Sequence, residues 1–314
     1  SCSTAWGTSQ QCGTGLRRIE ARSYPSLTNT SRAEAMILGI PVPDFLMFVA
    51  VMAAGAVVAG FVAGLFGVGG GIVMVLMLTE VFGLGLAGSS VEHARHLAVG
   101  TSLAIIVPTS IRSASTHYAS GQMDMNLLRK YVIFIPGGVV VGLYLATIMD
   151  AGGLGVLFGA IALCVGTYQL VASPNLRLAD QVPGTPIAQG AGLFIGSSST
   201  LMGIGGGVMN NLFMTLSGAE IRRAIATSAG VGILISVPAA LGFVVIGLGQ
   251  PDLPPLSLGY VNVIALAFMI PFTIATAPVG ARLTHRLPGL LMKRLFSAFL
   301  ILVAIRTFWK VFLG

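Results

Sequence analysis

The sequence predicts an all-α, polytopic membrane protein made of two similar halves with five apolar segments each. Three observations support this prediction. The 314 residues are 55% hydrophobic and only 9% charged, with a mean hydropathy of +0.91, whereas soluble domains carry about 25% charged residues. Apolar runs follow one another along most of the chain. A glycine-rich phrase occurs once in each half, as Gly67-Val-Gly-Gly-Gly71 and as Gly203-Ile-Gly-Gly-Gly207.

The apolar runs are the predicted helical segments. They cover residues 45–66, 70–87, 97–119, 130–149, 153–172, 188–203, 205–217, 224–248, 260–281 and 291–312. Crossing a hydrocarbon core of about 30 Å takes about 20 helical residues. The 205–217 run reaches only roughly 20 Å at 1.5 Å per residue. We therefore predict a broken or re-entrant hairpin over 188–217, with 45–87 as its longer counterpart.

Composition divides the chain into four parts. Residues 1–44 are mostly polar, without apolar periodicity, and are expected to be a disordered extension. Residues 45–173 form the first transmembrane repeat, 174–187 a linker, and 188–314 the second repeat.

Charge places the loops relative to the membrane. Basic residues at 129–130, 222–223 and 282–294 mark three cytoplasmic loops, whereas the loops at 149–152 and 249–259 hold Asp150 and Asp252 without Lys or Arg. The two halves then have opposite orientations, which makes the predicted repeat an inverted one in the plasma membrane. The net charge of +7 belongs to these loops and helix ends and does not indicate nucleic-acid binding.

The two glycine phrases are the first candidate binding site. A glycine break within an apolar segment leaves backbone groups unpaired, which is tolerated at membrane depth only where the backbone lines a cavity or is buried in protein. Matched breaks in two halves indicate a transporter's binding site, and a helix starting after each break favours an anion. Close helix packing by small residues is the alternative. The candidates are Gly67, Gly69, Gly70, Gly71, Gly203, Gly205, Gly206 and Gly207.

Polar side chains near the breaks complete the candidate site. Thr101-Ser102 and Thr227-Ser228 follow the two breaks in matched phrases, and their hydroxyls either donate to a bound oxyanion or bond within their helices. Asn210 and Asn211 lie in the short second half-helix, where an amide without a partner is costly. Arg112 is an intramembrane arginine that either contacts substrate or snorkels to the interface.

Other motifs are missing or weak. Glu80, His93, His96 and His117 could carry protons, but they lie near segment ends, where solvated side chains are the commoner explanation. The sequence has no GxxxxGK[ST], HExxH or GxSxG motif. We therefore expect neither an enzyme nor a bound metal or cofactor, and we expect a small oxyanion and the lipid bilayer as the binding partners.

These phrases resemble the sulfite exporter TauE/SafE family of membrane permeases. The resemblance is carried by Gly64-Leu-Phe-Gly-Val-Gly-Gly-Gly71, by His96-Leu-Ala-Val-Gly-Thr-Ser-Leu103 with Pro108-Thr-Ser-Ile-Arg-Ser113, and by Leu201-Met-Gly-Ile-Gly-Gly-Gly207. One departure is that the family usually has a proline where this chain has Leu76 and Leu212. The resemblance implies transport of a small sulfur-containing anion such as sulfite, thiosulfate or an organosulfonate.

Energetics favour export. An anion leaving a cell gains about 2.3 kcal/mol per charge per 100 mV of inside-negative potential, so efflux needs no coupling ion. The sparse intramembrane carboxylates agree with this direction. An anion channel of the same architecture, or a membrane enzyme or assembly factor without transport, are the alternatives.

Overall fold

The computed structural model describes residues 36–37, 40–83, 93–171, 185–251 and 253–312. Residues 1–35 and 38–39 of the predicted 1–44 extension, most of the predicted linker, and Asp252 lie outside these described residues.

Ten helices account for most of the described chain, and they follow the predicted segments in order. They are α1 (Val42–Phe66), α2 (Gly71–Gly83), α3 (Ala94–Ala119), α4 (Met125–Ile148), α5 (Ala151–Val171), α6 (Thr185–Met202), α7 (Gly207–Leu216), α8 (Ile221–Ile246), α9 (Val263–Thr284) and α10 (Gly289–Phe312). Two short hairpins pair β1 (Met36–Ile37) with β2 (Ile40–Pro41) and β3 (Ser257–Leu258) with β4 (Val261–Asn262). The prediction of an all-α membrane fold is confirmed.

Helix length separates spans from half-spans. Among the described residues, seven helices are long and apolar enough to cross a membrane, while α2 has 13 residues and α7 has 10. Both short helices start directly after a glycine phrase, and the length argument predicts a half-helix only for α7. Two boundaries differ from expectation, because α1 begins at Val42 and α6 at Thr185.

Helix neighbours repeat between the halves. The α1 helix packs on α9 as α6 packs on α4, α2 packs on α3 as α7 packs on α8, and α3 and α8 pack on each other. The α1 and α9 helices run parallel, with Gly60 beside Thr273 and Gly64 beside Ala277. The α4 and α6 helices are also parallel, with Gly138 beside Leu193.

The three predicted cytoplasmic loops lie at one end of the molecule, although Arg95, Arg306 and Lys310 lie at the other end. At one end Arg223 pairs with Asp124 at 2.7 Å, and Arg222 donates to the Leu287 carbonyl at 2.9 Å, so the three basic loops meet there. At the other end His96 and Asp150 line one cavity. This arrangement is what oppositely oriented halves would produce, and the inversion itself stays a prediction.

Candidate functional site

Both glycine phrases form tight, buried breaks between helices. Gly67, Gly69 and Gly70 have φ of 64°, 73° and 74°, and Gly203 and Gly206 have φ of 67° and 75°. Residues that carry a side chain rarely adopt this left-handed backbone conformation, so glycine is required at these positions. The breaks end α1 and α6 and start α2 and α7.

The two breaks lie against each other, backbone to backbone. A Cβ atom added to Gly71 would lie 2.5 Å from the carbonyl oxygen of Gly203, and one added to Gly207 would lie 2.5 Å from the carbonyl oxygen of Gly67. Residues 67–71 and 203–207 are all buried. Gly71 and Gly207 therefore serve close approach, whereas the left-handed glycines serve the turn.

Side chains from three other helices satisfy the broken end of α1. The last carbonyls of a helix have no partner within it, and here each of three receives a side-chain group. The contacts are His117 Nε2 to Gly64 at 3.2 Å, Thr284 Oγ1 to Leu65 at 2.7 Å, and Asn211 Nδ2 to Phe66 at 3.0 Å. His117 is fully buried, in contrast to the solvated position that its place near a segment end suggested.

Two predicted serines connect the breaks to their neighbours. Ser102 Oγ donates to the Gly203 carbonyl at 3.0 Å and lies 3.5 Å from the Gly71 carbonyl, so it bridges the two halves. Ser228 donates to Asn211 Oδ1 and accepts from Asn210 Nδ2, both at 2.7 Å. The structure thus brings these four predicted polar residues together with the glycines.

The two predicted threonines, Thr101 and Thr227, contact the starts of other helices and not the glycine breaks. Thr101 Oγ1 accepts the backbone N–H of Asn262 at 3.0 Å, and Thr227 Oγ1 accepts that of Asp124, also at 3.0 Å. Asn262 and Asp124 are the N-cap residues of α9 and α4. The threonines therefore connect α3 and α8 to matching helix starts in the opposite half.

Replacing these threonines tests that structural assignment. Thr101→Val or Thr227→Val leaves a buried N–H without its acceptor, which costs about 1–3 kcal/mol of stability. We expect a lower unfolding temperature for the purified protein, with transport per folded molecule close to that of the wild type. A large loss of transport in a fully stable variant would contradict the assignment.

Arg112 differs from the other candidate residues in its exposure. Arg112 is exposed, and it lies two positions beyond the buried Ser110 on α3. Two positions along a helix turn the side chain toward another face. Of the two readings of Arg112, its exposure favours the interfacial one.

Two serines that were not among the predicted site residues occupy matching sequence positions in the two repeats. Ser110 and Ser236 are fully buried, and neither hydroxyl has a hydrogen-bond partner among the described residues. If a Cβ atom were added to Gly69, Ser110 Oγ would lie 3.3 Å from it. A Cβ atom added to Gly232 would lie 2.6 Å from Ser110 Oγ and 3.3 Å from the carbonyl oxygen of Gly205. Ser110 and Ser236 are 126 residues apart, as are Ser102 and Ser228, so the repeat spacing could have identified them.

Comparisons with known proteins agree with this architecture. The family model described as sulfite exporter TauE/SafE matches residues 52–307. A probable membrane transporter protein of Haemophilus influenzae is 34% identical over 257 residues, covering 80% of this chain and 95% of that relative. Probable membrane transporter proteins of Methanocaldococcus jannaschii and Bacillus subtilis are 24% and 25% identical, covering 82% and 74% of this chain and 94% and 89% of the relatives. No solved structure matches the chain. The chain is a multi-pass membrane protein and belongs to the sulfite exporter TauE/SafE family.

Proposed function

We propose that this protein is a plasma-membrane secondary permease that exports small sulfur-containing anions. The observation that carries the proposal is the contact between the two glycine breaks beside Ser110, whose hydroxyl has no partner among the described residues. Ser236 occupies the matching sequence position of the second repeat. The relatives' names support membrane transport, and the family description supports a sulfur oxyanion such as sulfite.

The chemistry at the breaks suits an anion. The α2 and α7 helices begin at Gly71 and Gly207. The first turn of each helix offers backbone N–H groups without helical partners and the positive end of its dipole. Glycine lets a ligand approach those groups closely. The Ser110 hydroxyl supplies a further donor, and the Ser102 hydroxyl lies eight residues, or about 12 Å, away along the same α3 helix.

Transport would require the breaks to separate. In this structure residues 67–71 and 203–207 are buried and in contact, so the site is closed to both sides. Ser102 contacts carbonyls of both breaks. We propose that the anion enters when the halves move apart and that it takes over the hydrogen bonds that the closed state makes between them.

Charge placement supports export. The carboxylates of the described residues are Asp44, Glu80, Asp124, Asp150 and Glu220, and each lies within a few positions of a helix end. None of them is placed at the breaks to couple uptake to protons. Because an inside-negative potential of 100 mV biases a monovalent anion outward by about 2.3 kcal/mol, or about fifty-fold, export requires no further energy source.

A flux assay in proteoliposomes tests the proposal. Vesicles loaded with radiolabelled sulfite or thiosulfate receive an imposed potassium-diffusion potential. We expect saturable efflux that accelerates when the interior is negative. The Ser110→Ala/Ser236→Ala double variant should lose most of this flux and keep its stability, because neither hydroxyl has a hydrogen-bond partner among the described residues. Ser115→Ala, an exposed serine on α3, is the matched control.

Several outcomes would count against the proposal. Wild-type vesicles that pass no sulfur anion would reject it outright. Uptake that persists against the potential and follows a proton gradient would reject the export direction. Single-channel currents far above carrier turnover would assign the same architecture to a channel.

A further inference from the structure

A cavity outside the glycine breaks carries an excess of positive charge. It has a volume of about 40 Å³ and opens at the end of the molecule where α3 begins and α10 ends. Its charged lining consists of Arg95, Arg306, Lys310 and Glu80. We infer that this cavity is a binding site for a small oxyanion, held chiefly by Arg95.

Pairing within the cavity leaves Arg95 as the available cation. Glu80 binds Arg306 at 3.1 Å and Lys310 at 2.6 Å. Asp150, the other carboxylate that acts on Arg95, accepts the N–H groups of Gly152 and Gly153 at the start of α5. In the described part of the chain, no carboxylate lies within ion-pair distance of the Arg95 guanidinium.

The position of Arg95 also favours an anion. Arg95 is the second residue of α3, and a cation in the first helical turn faces the positive end of the helix dipole. The guanidinium charge and the helix dipole both create a positive potential in the cavity, so a bound anion would be stabilised by both. A guanidinium presents paired N–H donors that match two oxygens of one oxyanion.

Cavity size and surroundings limit the ligand to a compact one. A volume of about 40 Å³ holds roughly three water molecules, which suits sulfite or thiosulfate better than an extended organosulfonate. The inner wall is apolar and includes Val75, Val99 and Leu201. An apolar wall strengthens the attraction between guanidinium and anion because it lowers the local dielectric constant.

The cavity ends against the second glycine break. Val75 Cγ2 and Val99 Cα would lie 2.6 Å and 3.1 Å from a Cβ on Gly203. The same two valines form the inner wall of the cavity. An anion on Arg95 would therefore be one side-chain layer from the breaks. That this cavity is an outer binding site on the transport path rests on the proposed function. The binding of an anion in the cavity does not depend on that function.

The Arg95 guanidinium packs directly against Gly155, in the space that a side chain at that position would occupy. A Cβ on Gly155 would overlap Arg95 Nη1 and lie 2.5 Å from Arg95 Cζ. Gly155→Ala therefore displaces the guanidinium without changing any charge. Gly190→Ala is its matched control, because a Cβ on that helical glycine meets nothing within 4 Å.

Equilibrium dialysis of purified protein against radiolabelled thiosulfate, in chloride-free gluconate buffer, tests the site. We expect saturable wild-type binding that weakens on the order of 10- to 100-fold in Arg95→Gln and also weakens in Gly155→Ala. Glu80→Gln should bind more tightly, because it releases Arg306 and Lys310. Gly190→Ala and Arg294→Gln, which removes an exposed charge at the far end of α10, should bind as the wild type does.

The opposite effects expected for Arg95→Gln and Glu80→Gln distinguish an anion site from general damage to the fold. No wild-type binding, unchanged binding in Arg95→Gln, or equal competition by chloride would each overturn the assignment. Flux in proteoliposomes separates the two proposals. If thiosulfate binding depends on Arg95 but the protein shows no flux, only the transport proposal is rejected. If the protein shows flux but thiosulfate binding is unchanged in Arg95→Gln, only the Arg95 site is rejected.

Discussion

Gly207→Ala is expected to abolish most transport, and Gly71→Ala should do the same from the other half. A methyl group on Gly207 would overlap Val68 Cα and lie 2.5 Å from the Gly67 carbonyl oxygen. These are backbone atoms of a break that already uses left-handed glycines, so they cannot move aside as a flexible side chain would. Overpacking of this kind costs about 1–3 kcal/mol.

The cost falls on the closed state in which the two breaks touch. Raising its free energy by about 1–3 kcal/mol lowers its population relative to open states by roughly 5- to 150-fold. We expect reduced thiosulfate or sulfite flux in proteoliposomes and a lower unfolding temperature. Gly190→Ala supplies the control, since it adds the same methyl group to an exposed helical position. Normal flux in stable Gly71→Ala and Gly207→Ala variants would show that contact between the breaks is not needed.

Asn211→Leu is expected to have the largest effect on stability. Asn211 is fully buried, donates to the Phe66 carbonyl at 3.0 Å and accepts from Ser228 at 2.7 Å. Leucine would leave the buried Phe66 carbonyl without its side-chain donor and the Ser228 hydroxyl without its acceptor, at about 1–3 kcal/mol for each. The unfolding free energy, measured in mixed micelles, should fall by about 2–5 kcal/mol.

Two comparisons make this prediction specific. Asn210→Leu should cost less, because Asn210 Oδ1 has no partner among the described residues, and its amide nitrogen loses one bond to Ser228 and one weak bond to Met214 Sδ. Asn126→Leu, at an exposed position on α4, should leave stability nearly unchanged. Equal losses for Asn210 and Asn211 would contradict the described hydrogen-bond network.

The order and type of the helices could be predicted from hydropathy and length. The runs at 188–203 and 205–217 correspond to α6 and α7, and the missing length of the second run correctly indicates a half-helix. The glycine phrases predict where the chain breaks, because glycine alone adopts the left-handed turn at Gly67 and Gly203 without strain. This information is local, so the sequence carries it directly.

The functional faces of the helices could not be predicted in the same way. Thr101 and Ser102 are neighbours in one phrase, yet Thr101 binds the start of α9 while Ser102 binds the second glycine break. Adjacent residues on a helix point in different directions, separated by about 100°. The buried Ser110, beside the first break, and the exposed Arg112 differ for the same reason.

The sequence by itself determined that the chain crosses a membrane, that it repeats, and that each half breaks at a glycine phrase. Only the tertiary structure decided that the two breaks touch, that Ser110 lies beside them, and that no carboxylate in the described part of the chain pairs with Arg95. The physical reason is the lipid solvent. Membrane helices are apolar on the faces toward lipid and toward each other, so hydropathy marks which segments enter the bilayer but not which side of each helix meets its neighbours.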